Sequence, residues 1–309
     1  LRLVYFGSAG FAIPALERLA AHVVLVVSQP DQPTGRGLEM RATPVKTRAL
    51  ELGLTVETPE KSRAPEFVER IEGLDADALV VAAYGQILSE RLLNSARQGG
   101  INLHGSILPR WRGAAPIQRA IEAGDPISGV TLMQMARGMD TGDIIAIEET
   151  PIGADETAGE LFDRLAEIAG EMAVEWMPLI AAGEYPRQKQ EDAEATLAPK
   201  VTKEDARLTF EMTAEEAYRR FRAFTPAPGA FLETTKGPVK ILRARLGEGY
   251  LGTGYVGDVK PDLTVGFADG GAMRLLEVQP AGRKRMTGTE FANGARLAVG
   301  ECLMVTKDE

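Results

Sequence analysis

The 309-residue chain holds one cysteine, Cys302, and two histidines, His22 and His104. One cysteine excludes an internal disulfide and fits a reducing compartment. Two histidines and one cysteine cannot complete a His/Cys zinc site. A carboxylate-bound magnesium ion stays open, although no pattern points to one. No apolar run approaches the roughly 20 residues that a membrane helix needs, and no signal-peptide pattern opens the chain, so a cytoplasmic protein is expected. The sequence starts at Leu1, directly in a strand, leaving an initiator methionine or short leader open. Basic residues are also short: 35 Lys+Arg against 44 Asp+Glu, a net charge of −9, argue against sequence-blind nucleic-acid binding by bulk electrostatics. The shortage is uneven. Residues 206–309 hold 15 basic and 13 acidic side chains, and the rest of the chain holds 20 and 31. A tail less acidic than the body hints at an anionic partner.

What is present fits a soluble globular protein long enough for two domains. "LRLVYF" is an apolar run ended by "GSAG", and "FAIPALERLA" then has helical spacing with Pro14 in its first turn. "HVVLVVSQPD" and residues 78–83, 100–104 and 129–135 are further β-rich runs separated by helical patterns. This alternation predicts an α/β fold: a mostly parallel, Rossmann-like sheet covered by helices. Residues 157–182 carry a helical pattern through Leu161, Leu165, Ile168, Met172 and Trp176, and 183–206 lose apolar periodicity and read as a linker. After a helix capped by Thr213, short glycine-punctuated strands predict a small β-barrel, OB-like in class. The expected domains are 1–182, a linker at 183–206, and 207–309.

The first turn invites a dinucleotide reading, because Asp31 ends the second strand region where a ribose-binding acid belongs. Gly7 and Gly10 give only G-x-x-G, however, and Ala9 replaces the glycine that lets backbone approach a pyrophosphate. A tight strand-to-helix turn is the better reading.

His104 ends an apolar strand, where ligands of such sheets bind. A lone histidine there often only satisfies backbone groups. Asn102, two residues earlier, shares its face, and asparagine is depleted in strands. The loop "MARGMDTGDII" between two apolar strands presents Asp140 and Asp143. An amide, an imidazole and a carboxylate suit acyl transfer to an amine, which needs an oxyanion held and protons moved. No G-x-S-x-G elbow supplies a nucleophile, so direct transfer is the simpler mechanism.

The stretch "INLHGSILPRWRGAAPIQRAI…GVTLMQMARGMDTGD" closely resembles the methionyl-tRNA formyltransferase family of folate-dependent formyltransferases. The resemblance extends over nearly the whole chain, through "SQPDQPTGRG…TPVK", "AAYGQIL", "AFTPAPGAF" and "LEVQPAGRKRM". It implies transfer of formyl from 10-formyltetrahydrofolate to the α-amino group of methionyl initiator tRNA, in translation initiation, by a monomer. The family's catalytic residues fall on Asn102, His104 and Asp140. Folate contacts are implied at Tyr84, Gly85, Ser106, Leu108 and Pro109. tRNA contacts are implied at Arg36 and Lys46 and, with the tail's basic runs, at Arg243, Arg245, Arg283 and Lys284. No metal is implied. Two departures thin the tRNA contacts: "LEM" follows "GRG" where the family often has lysines, and Ala227 stands at an aromatic position. Arg110 and Arg112 suit phosphate, folate carboxylate or nearby acids equally. An amino-sugar acceptor, water as acceptor, and a catalytically idle tRNA-binding module stay open as alternatives.

Overall fold

Every side chain of Leu3–Gly7 is buried, which suits a strand covered on both faces. In the computed structural model, which describes residues 1–34 and 39–305, this run is β1 at the heart of a seven-stranded sheet. The other strands around it are β2 (Val23–Val27), β3 (Gln32–Thr34), β4 (Glu39–Arg41), β5 (Val56–Glu57), β6 (Ala78–Ala82), β7 (Gly100–His104), β8 (Arg112–Gly113), β9 (Ile127–Gln134), β10 (Ile144–Pro151) and β11 (Leu197–Ala198). The sheet order is β10-β9-β7-β6-β1-β2-β5. β5, β2, β1, β6 and β7 are mutually parallel, whereas β9 runs antiparallel to both β7 and β10. The sheet is thus mostly parallel, as the alternation predicts. The short connection between β9 and β10 can join only antiparallel neighbours, and β9 reaches its place against β7 through the longer connection that carries the helix Pro116–Ala123. β3 pairs with β4, and β8 with β11, as separate two-stranded ribbons.

Helices α1 (Ile13–Leu19), α2 (Pro44–Glu51), α3 (Pro65–Glu72), α4 (Glu90–Leu93), α5 (Pro116–Ala123) and α6 (Ala158–Ala182) fall between or after these strands. Pro14 lies in the first turn of α1, where a missing N–H costs nothing. One face of the sheet packs Phe6, Leu25, Val27, Leu79 and Val81 against Phe67, Val68 and Ile71 of α3.

Two compact units result. One contains Leu1–Pro116, Ile127–Pro151 and Phe162–Ala198; the other contains Ile117–Pro126, Ile152–Leu161 and the chain from Pro199 onward. The stretch 183–206, expected as a linker, is therefore not a loose connector. Gln188 bridges Ile144, and β11 pairs with β8 inside the first unit. Short polar segments fixed by long-range pairing have no periodicity to announce them.

The second unit holds α7 (Ala214–Ala223), β12 (Arg207–Leu208), β13 (Phe231–Thr234), β14 (Gly237–Leu246), β15 (Leu263–Gly266), β16 (Ala272–Pro280), β17 (Met286–Thr287) and α8 (Gly288–Gly294). Thr213 caps α7 as predicted and completes a capping box with Glu216; Thr287 and Glu290 repeat it on α8. The small barrel expected of the tail is a six-stranded sheet ordered β12-β13-β14-β16-β15, with β17 on β16. It encloses Phe210, Phe221, Val265, Phe267 and Val278.

Tyr5 ties β1 to the turn that follows it. Its fully buried hydroxyl donates to the Ala12 carbonyl at 2.6 Å, and burial raises the phenol's pKa far enough to keep it a neutral donor. Tyr5→Phe removes that hydrogen bond and should lower stability by about 1 kcal/mol. Urea denaturation with an unchanged midpoint would show that the bond contributes nothing.

Candidate active site

β7 delivers Asn102 and His104 to the carboxyl end of the sheet, two residues apart and on one face. Asn102 sits opposite Val81 of β6 and Met133 of β9, and His104 opposite Thr131 of β9. Both are deeply buried, at 9 % and 6 % exposure. Among the described residues the Asn102 amide makes no hydrogen bond. Its polar atoms are still reached by solvent in an otherwise buried residue, so the amide can donate to an incoming oxygen.

His104 is held from both sides. Its Nε2 lies 3.0 Å from the Trp111 carbonyl oxygen, which can only accept, so Nε2 carries the hydrogen. Its Nδ1 lies 3.7 Å from Oδ2 of Asp140, too far for a direct hydrogen bond but within Coulomb reach. The same Oδ2 accepts from the backbone N–H of Gly113 at 2.9 Å. Asp140 has φ +53, a left-handed backbone that costs a side-chain-bearing residue roughly 1–2 kcal/mol. Trp111 is left-handed too, at φ +65, and Gly113 at φ +127 has no room for a Cβ, which would lie 2.7 Å from the Ala198 carbonyl oxygen.

Residues 105–113 form the turn behind His104. The Ser106 hydroxyl donates to the Arg110 carbonyl at 2.8 Å, and the Thr131 hydroxyl donates to the Ser106 carbonyl at 2.6 Å while accepting from Leu108 N–H at 3.1 Å. Leu108 packs with Met133 and Ile144. Pro109 offers its carbonyl to Thr196 N–H at 3.3 Å. Of the side chains expected to touch folate, Ser106 and Leu108 therefore brace this turn. Tyr84 is likewise interior: its ring meets Phe6 edge-on at 5.3 Å, and burial pushes its phenol up to about 12. Its carbonyl accepts from Ser8 Oγ and Gln29 Nε2. Gly85, at φ +87, lets Gln29 approach where a Cβ would lie 2.3 Å from its amide nitrogen. Beyond β2 and β6 opens a cleft of about 720 Å³, lined by Gln29, Asp31, Lys61, Arg63, Gln86 and Ile87 among others.

The turn after β1 spends its backbone donors locally. Ser8 and Ala9 N–H both meet the Ala83 carbonyl, at 3.2 and 3.3 Å.

Three polar groups at the site carry no local sequence signal. Gln190 donates its amide to the carbonyls of Asp140 (2.9 Å) and Gly142 (2.7 Å). Arg112, open in assignment from sequence, is buried and donates to Gln190 Oε1 at 3.0 Å and Asp192 at 2.8 Å. Thr196 accepts from Trp111 N–H at 2.9 Å. Arg110 instead lies over the Trp111 ring, 4.4 Å from its centroid. Among the described residues no group of three or more His, Cys, Asp or Glu side chains could hold a metal ion, and no helix is long and apolar enough to cross a membrane.

The residues expected at tRNA divide. Arg36 lies outside the described residues. Lys46 pairs with Asp31 at 2.7 Å. Arg243 stands opposite Glu277, 3.5 Å away, and Arg245 lies 3.4 Å from Asp155. Arg283 and Lys284 are exposed and have no ion-pair partner among the described residues.

The chain matches two family profiles: that of formyl transferase over residues 14–177, and that of the formyl transferase C-terminal domain over residues 200–296. It is 44 % identical over 308 residues to the methionyl-tRNA formyltransferase of Halorhodospira halophila, covering 97 % of this chain and 98 % of that one. It is 45 % identical over 306 residues to the same-named protein of Thiobacillus denitrificans, with equal coverage. Among solved structures, an N-formyltransferase from Helicobacter canadensis, crystallised with folinic acid and dTDP-3-aminofucose, superposes with a TM-score of 0.66 at 18 % identity. That match covers 89 % of this chain and 98 % of the other, and shows the shared fold. Near-full-length identity above 40 % is a much narrower statement, and by it the chain belongs to the methionyl-tRNA formyltransferase family.

Proposed function

We propose that this enzyme transfers the formyl group of 10-formyltetrahydrofolate to the α-amino group of methionyl initiator tRNA, preparing it for translation initiation, with Asn102, His104 and Asp140 as its catalytic residues. The observation that carries the residue assignment is the Asn102 amide, without a protein partner among the described residues and open to an incoming oxygen, beside a histidine faced by a carboxylate. In the reaction the amine nitrogen bonds to the formyl carbon, and the carbonyl oxygen becomes an oxyanion. Asn102 donates to that oxygen. The Nε2–H contact to Trp111 leaves the Nδ1 lone pair as the base on the Asp140 side. Nδ1 takes the amine's proton, and the resulting imidazolium is stabilised by Asp140. The tetrahedral centre then collapses with cleavage of the bond to folate N10, and His104 returns the proton to that nitrogen. One proton leaves the amine and one arrives on N10, so no acyl-enzyme is required.

Catalysis is assigned to the first unit, which reaches as far as Ala198 and so takes in most of the stretch expected as a linker, and docking of tRNA to the tail from residue 207 onward. Folate is assigned to the region of Tyr84, Gly85, Ser106, Leu108 and Pro109, largely through backbone groups because their side chains brace the turns. Arg36, Lys46, Arg243, Arg245, Arg283 and Lys284 are assigned to the nucleic acid. Two units that each enclose a core fit a monomer, and one cysteine fits the cytoplasm. A sugar acceptor is disfavoured by the difference between 18 % and 44 % identity.

His104→Ala and Asp140→Asn should each lower turnover by about 10² or more with the fold intact. Formyl transfer to methionyl initiator tRNA, with elongator tRNA, an amino-sugar nucleotide and water as competing acceptors, checks both the residues and the acceptor. Near-normal turnover of either variant would remove its assigned role, and transfer to sugar or water would overturn the acceptor.

Tail cations without intramolecular partners should carry more of the salt response than paired ones. Replacing both Arg283 and Lys284 by Ala should flatten the slope of log K against log salt by about 1–2. Arg243→Ala should change it less, since Glu277 already offsets that charge. Filter binding of tRNA across a salt series reads both, and an unaltered slope for the double variant would exclude these two side chains from phosphate contact.

A further inference from the structure

The segment joining α6 to the tail makes four consecutive kinds of contact with the catalytic loops, all within the first unit. Gln188 exchanges backbone hydrogen bonds with Ile144, at 2.8 and 2.9 Å. Gln190 holds the carbonyls of Asp140 and Gly142. Thr196 takes the N–H of Trp111 on its hydroxyl and the N–H of Arg112 on its carbonyl, both at 2.9 Å. Ala198 takes the N–H of Ala114 at 2.8 Å on its carbonyl, beside Gly113, whose own N–H holds the Asp140 carboxylate. Each group that orients His104 or Asp140 is thus fixed one bond further back by residues 188–198.

We infer that residues 188–198 act as a strap that sets the geometry of His104 and Asp140, with Gln190 as its principal positioning residue. The inference rests on the reading of Asp140 as catalytic. Gln190 has only one orientation here. Two carbonyl oxygens on one side require its NH₂, and the Arg112 guanidinium on the other requires its oxygen. Arg112 is in turn buried and held by Asp192, so the amide is locked from behind. What it restrains is a strained element. Asp140 is left-handed, and Gly142 lies so close to Gln134 that a Cβ would sit 1.8 Å from its carbonyl oxygen. A loop in so constrained a path, carrying a carboxylate 3.7 Å from the ring it serves, loses catalytic geometry if its carbonyls are released. Gln190 reaches that carboxylate only through the backbone of the loop. It therefore acts through Asp140 and not on the substrate.

Gln190→Glu separates these roles, because it keeps the size and the acceptor for Arg112 but sets an oxygen against two carbonyls. In formyl transfer to methionyl initiator tRNA, it should lower kcat by about 10-fold or more while KM for folate and tRNA stays within about threefold. Asp140→Asn combined with Gln190→Glu should be no slower than Asp140→Asn alone, since a residue acting through Asp140 has nothing further to lose. Wild-type kcat in Gln190→Glu, or losses that multiply in the double variant, would overturn the strap while leaving Asp140 in place. Wild-type kcat in Asp140→Asn would overturn the catalytic reading and the strap with it. If Gln190→Glu fails to fold by circular dichroism, Thr196→Val tests the same inference at the other end. It frees Trp111 N–H at nearly constant volume, and should lower kcat severalfold with both KM values kept. Wild-type kcat there would overturn the strap.

Discussion

A carboxylate largely withdrawn from water must be met by donors, and the loops at the carboxyl end of the large sheet are arranged around meeting one. Asp140 accepts from Gly113 N–H on one side and faces the His104 ring on the other. That requirement fixes the conformations nearby. Gly113 must expose its N–H at φ +127, a backbone that also brings Ala198 against it, and only glycine tolerates both. Trp111 turns left-handed two residues earlier, with its carbonyl against His104 Nε2. The tautomer of the histidine is then set by a backbone acceptor before any substrate arrives.

The two sides of the site differ in mechanical origin. Asn102 and His104 stand on β7, where the sheet's ladders hold Asn102 from both β6 and β9 and His104 from β9. Asp140 stands on a loop, where nothing comparable is available, so side-chain hydrogen bonds from Gln190 and a ribbon of two residues on each strand replace the ladder. The rigid side suits donors that must be in place before charge develops. The strapped side suits a group whose distance to the imidazole matters most once that ring becomes charged.

This difference explains what was legible in the sequence. β1, β2, β6 and β7 are continuous apolar runs because both faces are covered, and strand alternation alone puts Asn102 beside His104. The long α6 and the caps of α7 are equally local. Gln190 is not legible, because its role depends on a chain that folds back 50 residues to Asp140 without apolar periodicity. Tyr84 and Ser106 differ in the opposite sense: their motifs are legible, but the Tyr84 ring is spent on the interior and the Ser106 hydroxyl on the turn, a use that only the folded chain reveals. The antiparallel course of β9 is also hidden, since its own residues read as any buried strand would.

The tail shows why a basic run predicts less than its charges suggest. Alternation along β14 correctly exposes Arg243 and Arg245, but cross-strand register sets Glu277 opposite the first, and Asp155, 90 residues away in sequence, neutralises the second. Arg285 shares Glu277, and Arg274 pairs with Asp262. Exposed pairs of this kind stabilise the fold little, roughly 0–1 kcal/mol each, so their larger effect is on the field the tail presents. A phosphate approaching a paired arginine meets a dipole, whereas Arg283 and Lys284 present unshared charge, and the attraction of the dipole falls off faster with distance. A tail of net charge near zero can therefore favour an anionic ligand at one edge while the chain as a whole stays acidic. That arrangement rewards a ligand whose phosphates match the position of the free cations, and gives little to an arbitrary polyanion.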